Sequence, residues 1–144
     1  MAAESEHKEQ VALFRWAEFA AARRPELRLL HAIPNGGHRH KAVAARMKAE
    51  GVRRGVPDVF LPIPRGAFAG LYIEMKTRRG RVSDEQRRWI EALRAQGYRA
   101  EVCRDWNAAR QLIEEYLGGR DSGPRPPGAS DVPRNEGRSH DCHA

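Results

Sequence analysis

Only two of the 144 residues are cysteines, Cys103 in a predicted strand and Cys142 near the C-terminus, so a disulfide framework is excluded and a reducing cytoplasm is the expected setting. Long apolar runs are missing too, so nothing in the sequence reaches membrane-spanning length. The N-terminal Met1-Ala-Ala-Glu-Ser-Glu-His7 is polar and acidic, whereas a secretory signal is basic and then apolar. Internal repeats are absent. Acidic residues are in deficit, with 19 Asp and Glu against 26 Lys and Arg, which gives a net charge of +7 and a pI near 10.1. After Gly118 four arginines cancel four acids, so residues 1–117 carry the whole excess, 22 basic against 15 acidic. A positive charge concentrated on the folded part points to a polyanionic partner and to a binding face rather than a basic tail. The length allows one domain with a single modest core.

Hydrophobic periodicity predicts the elements. A helix is expected over about residues 5–23, with Leu13, Trp16, Ala17 and Ala20 at helical spacing. Glu9 precedes Leu13 by four and Trp16 by seven, which sets a carboxylate on that apolar stripe; an acid in the first turn, drawn by the helix dipole, is the plainer reading. Leu27 to Ile33 reads as a short strand stopped by Pro34-Asn35-Gly36-Gly37. A second helix is expected over His40 to Glu50, with Val43 and Met47 on its apolar side and Gly51 as its stop. Around it lie Arg39, Lys41, Arg46, Lys48, Arg53 and Arg54, either a solvated face or phosphate contacts.

Two apolar runs joined by a Pro/Gly-rich turn predict a hairpin from Asp58 to Lys76. Ser83, with Gln86 three residues later, has the form of a capping box for a helix through Ala95 that carries Trp89, Ile90 and Leu93. A third strand is expected over Tyr98 to Cys103, and Asp105 caps a last helix bearing Trp106, Ala109, Leu112, Ile113 and Tyr116. The alternation predicts an α/β fold, a central mixed sheet flanked by helices. The expected domain is residues 1–117. The Gly/Pro/Ser/Arg-rich segment 118–144 is expected to be a disordered tail, in which His140, Cys142 and His143 are incidental rather than a metal site.

The hairpin carries the chemistry. Strand side chains alternate, so Glu74 and Lys76 share one face while Ile73 and Met75 share the other. With Asp58 on the neighbouring strand, this sets two carboxylates and an ammonium together, suited to a hard divalent cation and to phosphodiester hydrolysis. Asp58 and Glu74 are candidate cation ligands, with the main-chain carbonyl of Met75 within reach. Lys76 can orient water and neutralise transition-state charge. Glu9 adds an outer carboxylate, and Gln86 a hydrogen bond, unless it is only a capping glutamine. Alone, Glu-x-Lys on a strand is also a common salt-bridged surface pair.

The segments Gly51-Val-Arg-Arg-Gly-Val-Pro-Asp-Val-Phe60, Gly70-Leu-Tyr-Ile-Glu-Met-Lys-Thr77 and Gly80-Arg-Val-Ser-Asp-Glu-Gln86, with Ile33-Pro-Asn-Gly-Gly37 before them and Trp89-Ile90, Leu93 and Gly97-Tyr98 after, closely resemble the VRR-NUC family of virus-type replication-repair nucleases. The resemblance covers roughly residues 7 to 117. It implies a restriction-endonuclease-like PD-(D/E)xK fold and DNA cleavage that depends on Mg²⁺ or Mn²⁺ and leaves a 5′-phosphate. Carried over by position, it implies metal-site roles for Glu9, Asp58, Glu74 and the Met75 carbonyl, and catalytic roles for Glu9, Asp58, Glu74, Lys76 and Gln86. Arg39, Lys41, Arg53, Arg54, Arg78, Arg79 and Arg81 are the expected DNA contacts. Similarity to the stand-alone phage and prophage members implies a homodimer resolving Holliday junctions during DNA repair in a bacterial cytoplasm. The alternatives are a nuclease of the same fold acting on flaps or duplex DNA, a non-catalytic DNA-binding module, and a protein-interaction domain.

Overall fold

The computed structural model describes residues 2–34 and 40–118. The expectations at Asn35–Arg39, including the Arg39 contact, and those for the tail beyond Gly118 lie outside the described residues. Helix α1 (Ala2–Ala20) is followed by a single 3-10 turn (Pro25–Leu29), strand β1 (His31–Ala32), helix α2 (Lys41–Ala49), strands β2 (Val59–Leu61) and β3 (Leu71–Met75), helix α3 (Asp84–Ala95), strand β4 (Arg99–Cys103) and helix α4 (Trp106–Leu117). The strands form one sheet in the order β1-β2-β3-β4. The first three run antiparallel and β4 runs parallel to β3, so the sheet is mixed.

Two expectations are corrected. The strand predicted over Leu27 to Ile33 is mostly the 3-10 turn, because Pro25 heads a helical turn where its missing N–H costs nothing. Leu27 and Leu30 still reach the core from it, and only His31–Ala32 pairs as strand. Helix α2 forms where expected, but no residue of it is buried and Val43 is 45% exposed, so its apolar side does not contribute to the core. Its end is a Schellman motif, in which the Gly51 N–H bonds to Lys48 O and the Val52 N–H to Met47 O, with Gly51 at φ +100.

Alternation along the strands sorts the sheet into two faces. Val59, Leu61, Leu71, Ile73 and Met75 are buried on one face, where α1 and α4 pack on each other and on β3 through Leu13, Ala17, Ala109, Ile113 and Tyr116. On the other face α3 covers β4, with Ile90 buried there. Beside it Phe60 and Tyr72 stack with centroids 4.2 Å apart, and Tyr98 meets Tyr72 edge-on. Asp58, Glu74 and Lys76 share this second face with Phe60 and Tyr72 by the period of two. Among the described residues no helix is long and apolar enough to cross a membrane.

Candidate active site

The loop entering β2 is held tightly. Gly55 has φ +90, and a Cβ there would lie 2.7 Å from the Glu85 carbonyl carbon in the first turn of α3, so only glycine lets the loop press against that helix. Pro57 is fully buried behind it. Asp58 is then fixed from two sides: its carbonyl accepts the Ile33 N–H at 2.7 Å, and its carboxylate Oδ2 accepts the Met75 N–H at 2.8 Å. The Met75 side chain lies in the core at 1% exposure, so only its main chain takes part in the site.

Glu74 projects from β3 toward α3 and is 2% exposed. Its Oε1 accepts a hydrogen bond from Gln86 Nε2 at 2.7 Å and lies 3.6 Å from Lys76 Nζ. Gln86 fills both readings its sequence position allows. Its Oε1 accepts the Ser83 N–H at 2.9 Å, its own N–H donates to Ser83 Oγ at 3.1 Å, and its amide nitrogen remains for Glu74. The capping box thereby fixes the amide that orients the buried carboxylate. Lys76, with an 11% exposed side chain, lies between Glu74 and Glu6, the latter at 4.0 Å.

Burial, and then the negative charge of Asp58, push the Glu74 carboxyl up to about 8. Burial likewise raises Asp58, against the Met75 N–H and the Lys76 charge, which hold it down. Both carboxyls are thus driven toward the protonated form. Glu74 Oε2 is buried with no hydrogen-bond partner. A buried oxygen without a partner, beside a second carboxylate of raised proton affinity, concentrates negative charge that a hard cation balances as well as a proton does. Among the described residues no three His, Cys, Asp or Glu side chains gather as a closed metal cage. Two carboxylates suit an ion such as Mg²⁺, which keeps several waters and takes its other ligands from a phosphate.

Not every predicted residue joins this cluster. Glu9 is engaged at the start of α4, where its Oε2 accepts the Trp106 N–H at 2.7 Å. The α1 acid beside Lys76 is Glu6, seven residues before the fully buried Leu13, and its charge also acts on Asp58. That heptad spacing is present in the sequence, but the stripe through Trp16 points to Glu9 instead. Arg78 and Arg79 line a groove of about 550 Å³ next to the site, together with Thr77, Glu9 and Arg104. Arg53 donates to Lys48 O at 3.3 Å, Arg54 stands 3.7 Å from Glu85, and Lys41 and Arg81 are exposed. Nothing in the sequence pattern marks Arg104.

A mixed sheet that sets an aspartate at the start of one strand, Glu-x-Lys at the end of the next, and helices on both faces defines a nuclease of the PD-(D/E)xK type. The VRR-NUC domain family model matches residues 4–106, and the chain belongs to that family, a group of nucleases acting on DNA. A solved structure described as a VRR_NUC domain protein is similar to it at 28% identity and a TM-score of 0.67, over 81% of this chain and 91% of the other. No curated protein matches the sequence.

Proposed function

We propose that this nuclease is a Mg²⁺-dependent endonuclease, with Mn²⁺ able to substitute, that cuts branched DNA as a homodimer. The observation that carries the metal-dependent part is the Asp58–Glu74 pair, with its unpartnered buried oxygen and Lys76 3.6 Å from the other. Asp58, Glu74 and the main-chain carbonyl of Met75 would hold the cation. When bound, such an ion polarises the phosphate and eases deprotonation of the attacking water.

The chain's own residues supply the rest. Gln86 holds Glu74 in its rotamer through the 2.7 Å bond. Lys76, paired with Glu74 and Glu6, donates hydrogen bonds to the phosphoryl oxygens as negative charge builds there, an interaction stronger in the transition state than in the ground state. Water adds to phosphorus, the P–O3′ bond breaks, and the products are a 5′-phosphate and a 3′-hydroxyl. Arg78 and Arg79 in the groove, and the exposed Lys41, Arg53, Arg54 and Arg81, neutralise the strand's phosphates. The choice of branched DNA rests on the resemblance to the stand-alone members, and the homodimer follows from that choice: symmetric cuts in two strands of a four-way junction need two active sites related by a two-fold axis.

The test is cleavage of end-labelled four-way junction, 5′-flap and linear duplex, side by side, in Mg²⁺, Mn²⁺ or EDTA, with the solution mass measured on the same preparation. Paired, metal-dependent cuts in the junction by a dimer support the reading. Flap or duplex cutting by a monomer would retain the nuclease and remove the resolving role.

A further inference from the structure

Lys76 leaves β3 into the turn Thr77-Arg78-Arg79-Gly80, closed by the Gly80 N–H bonding to Thr77 O at 3.2 Å. The two carbonyls at the ends of this turn are gathered by one side chain. Arg104 Nη1 donates to Thr77 O at 3.0 Å and also to Gly80 O. Arg104 directly follows Cys103, whose carbonyl accepts the Lys76 N–H at 2.9 Å, so the guanidinium extends the β3–β4 pairing one residue past the end of the sheet. The turn also abuts the site: a Cβ on Gly80 would lie 3.3 Å from Glu6 Oε1, the oxygen that stands 4.0 Å from Lys76 Nζ.

We infer that Arg104 is a positioning residue, which clamps the arginine turn so that Lys76 meets Glu6 and Glu74 and so that Arg78 and Arg79 face the groove. This rests on the nuclease reading above. The Arg104 guanidinium is already engaged with two main-chain carbonyls, so its task is to set the shape of the turn rather than to grip a phosphate. A lysine keeps the charge, but its ammonium ends one bond short of the Nη1 position from which Arg104 bonds both carbonyls, so it does not reach the two together.

The experiment compares wild type, Arg104→Ala and Arg104→Lys in the full chain. It measures turnover and KM, the salt dependence of DNA binding, the melting midpoint, and amide exchange across residues 76–81 of the free protein. The clamp predicts that both variants lose turnover by roughly tenfold to a hundredfold, the loss expected when reacting groups shift by about 1 Å. It further predicts an unchanged salt slope and faster exchange of the Gly80 amide. Rescue by lysine, with a salt slope lowered by about 0.9 only in the alanine variant, would make Arg104 a phosphate-binding residue and overturn the inference. A lowered melting midpoint with wild-type turnover and unchanged local exchange would overturn it in favour of a purely structural bond. If wild type cuts no DNA in either metal, the nuclease reading fails, and the exchange measurement still decides whether the clamp exists.

Discussion

Glu74 shows how a single residue records its purpose in its environment. A carboxyl that is 2% exposed and pushed up to about 8 takes up a proton on folding at any pH between its unfolded value of about 4.3 and its folded one. The folded state then binds more protons than the unfolded state, so the contribution of Glu74 to stability is fully present below about 4.3 and is lost as pH rises toward 8. Asp58 is raised as well, which gives the same sign. The metal-free protein is expected to lose melting temperature relative to Glu74→Gln across that window. Mg²⁺ is expected to stabilise wild type most near pH 8 and the variant hardly at all. Thermal melts of both proteins at several pH values, with Mg²⁺ or EDTA, check this.

The α1 acids divide in the same way. Glu9→Ala removes a helix-end partner and is expected to cost about 1 kcal/mol with most activity kept. Glu6→Gln is expected to leave stability nearly unchanged while lowering turnover, because it loosens Lys76. Denaturant titrations and cleavage rates of the two variants separate them. Equal decreases in turnover would return Glu9 to the site.

Among the elements, the capping box of α3 links local folding to the site. Ser83 accepts the Gln86 N–H, and Gln86 in turn holds Glu74, so a motif legible in the sequence as a helix start is also the support of a buried carboxylate. Ser83→Ala is therefore expected to cost about 0.5–2 kcal/mol and also to lower turnover, since Gln86 gains freedom. Unchanged turnover at reduced stability would uncouple the two roles. The hairpin, α3, β4 and α4 are legible in the sequence because each has its own local signal: alternation, a cap or a glycine stop. Other features are not, because their cause is tertiary. The turn at Pro25 mimics a strand because Leu27 and Leu30 are apolar, and α2 has helical spacing yet buries nothing. Asp58, Glu74 and Lys76 stand out as a strand pattern, whereas Arg104 acts through main-chain carbonyls distant in sequence, which leave no side-chain pattern to read.

At the scale of the molecule, the excess charge and the site lie in one folded body. The 22 basic residues of 1–117 exceed its acids by seven, and Arg78, Arg79 and Arg104 line the groove beside Thr77, the residue after Lys76. Arg53→Ala and Arg54→Ala together are expected to weaken DNA binding and to flatten its salt dependence by about 0.9 for each phosphate no longer neutralised. Affinity measured across a salt series checks this, and an unchanged slope would move the binding face elsewhere.

Asp58, Glu74 and Lys76 are proposed as the hydrolytic centre. It is tested most directly by Lys76→Ala, assayed for cleavage of the preferred DNA in Mg²⁺ and for affinity in EDTA. Cleavage slowed by about a hundredfold or more, with affinity held near that of wild type, is the result expected of a group that acts at the transition state. Wild-type turnover in the variant would contradict the account.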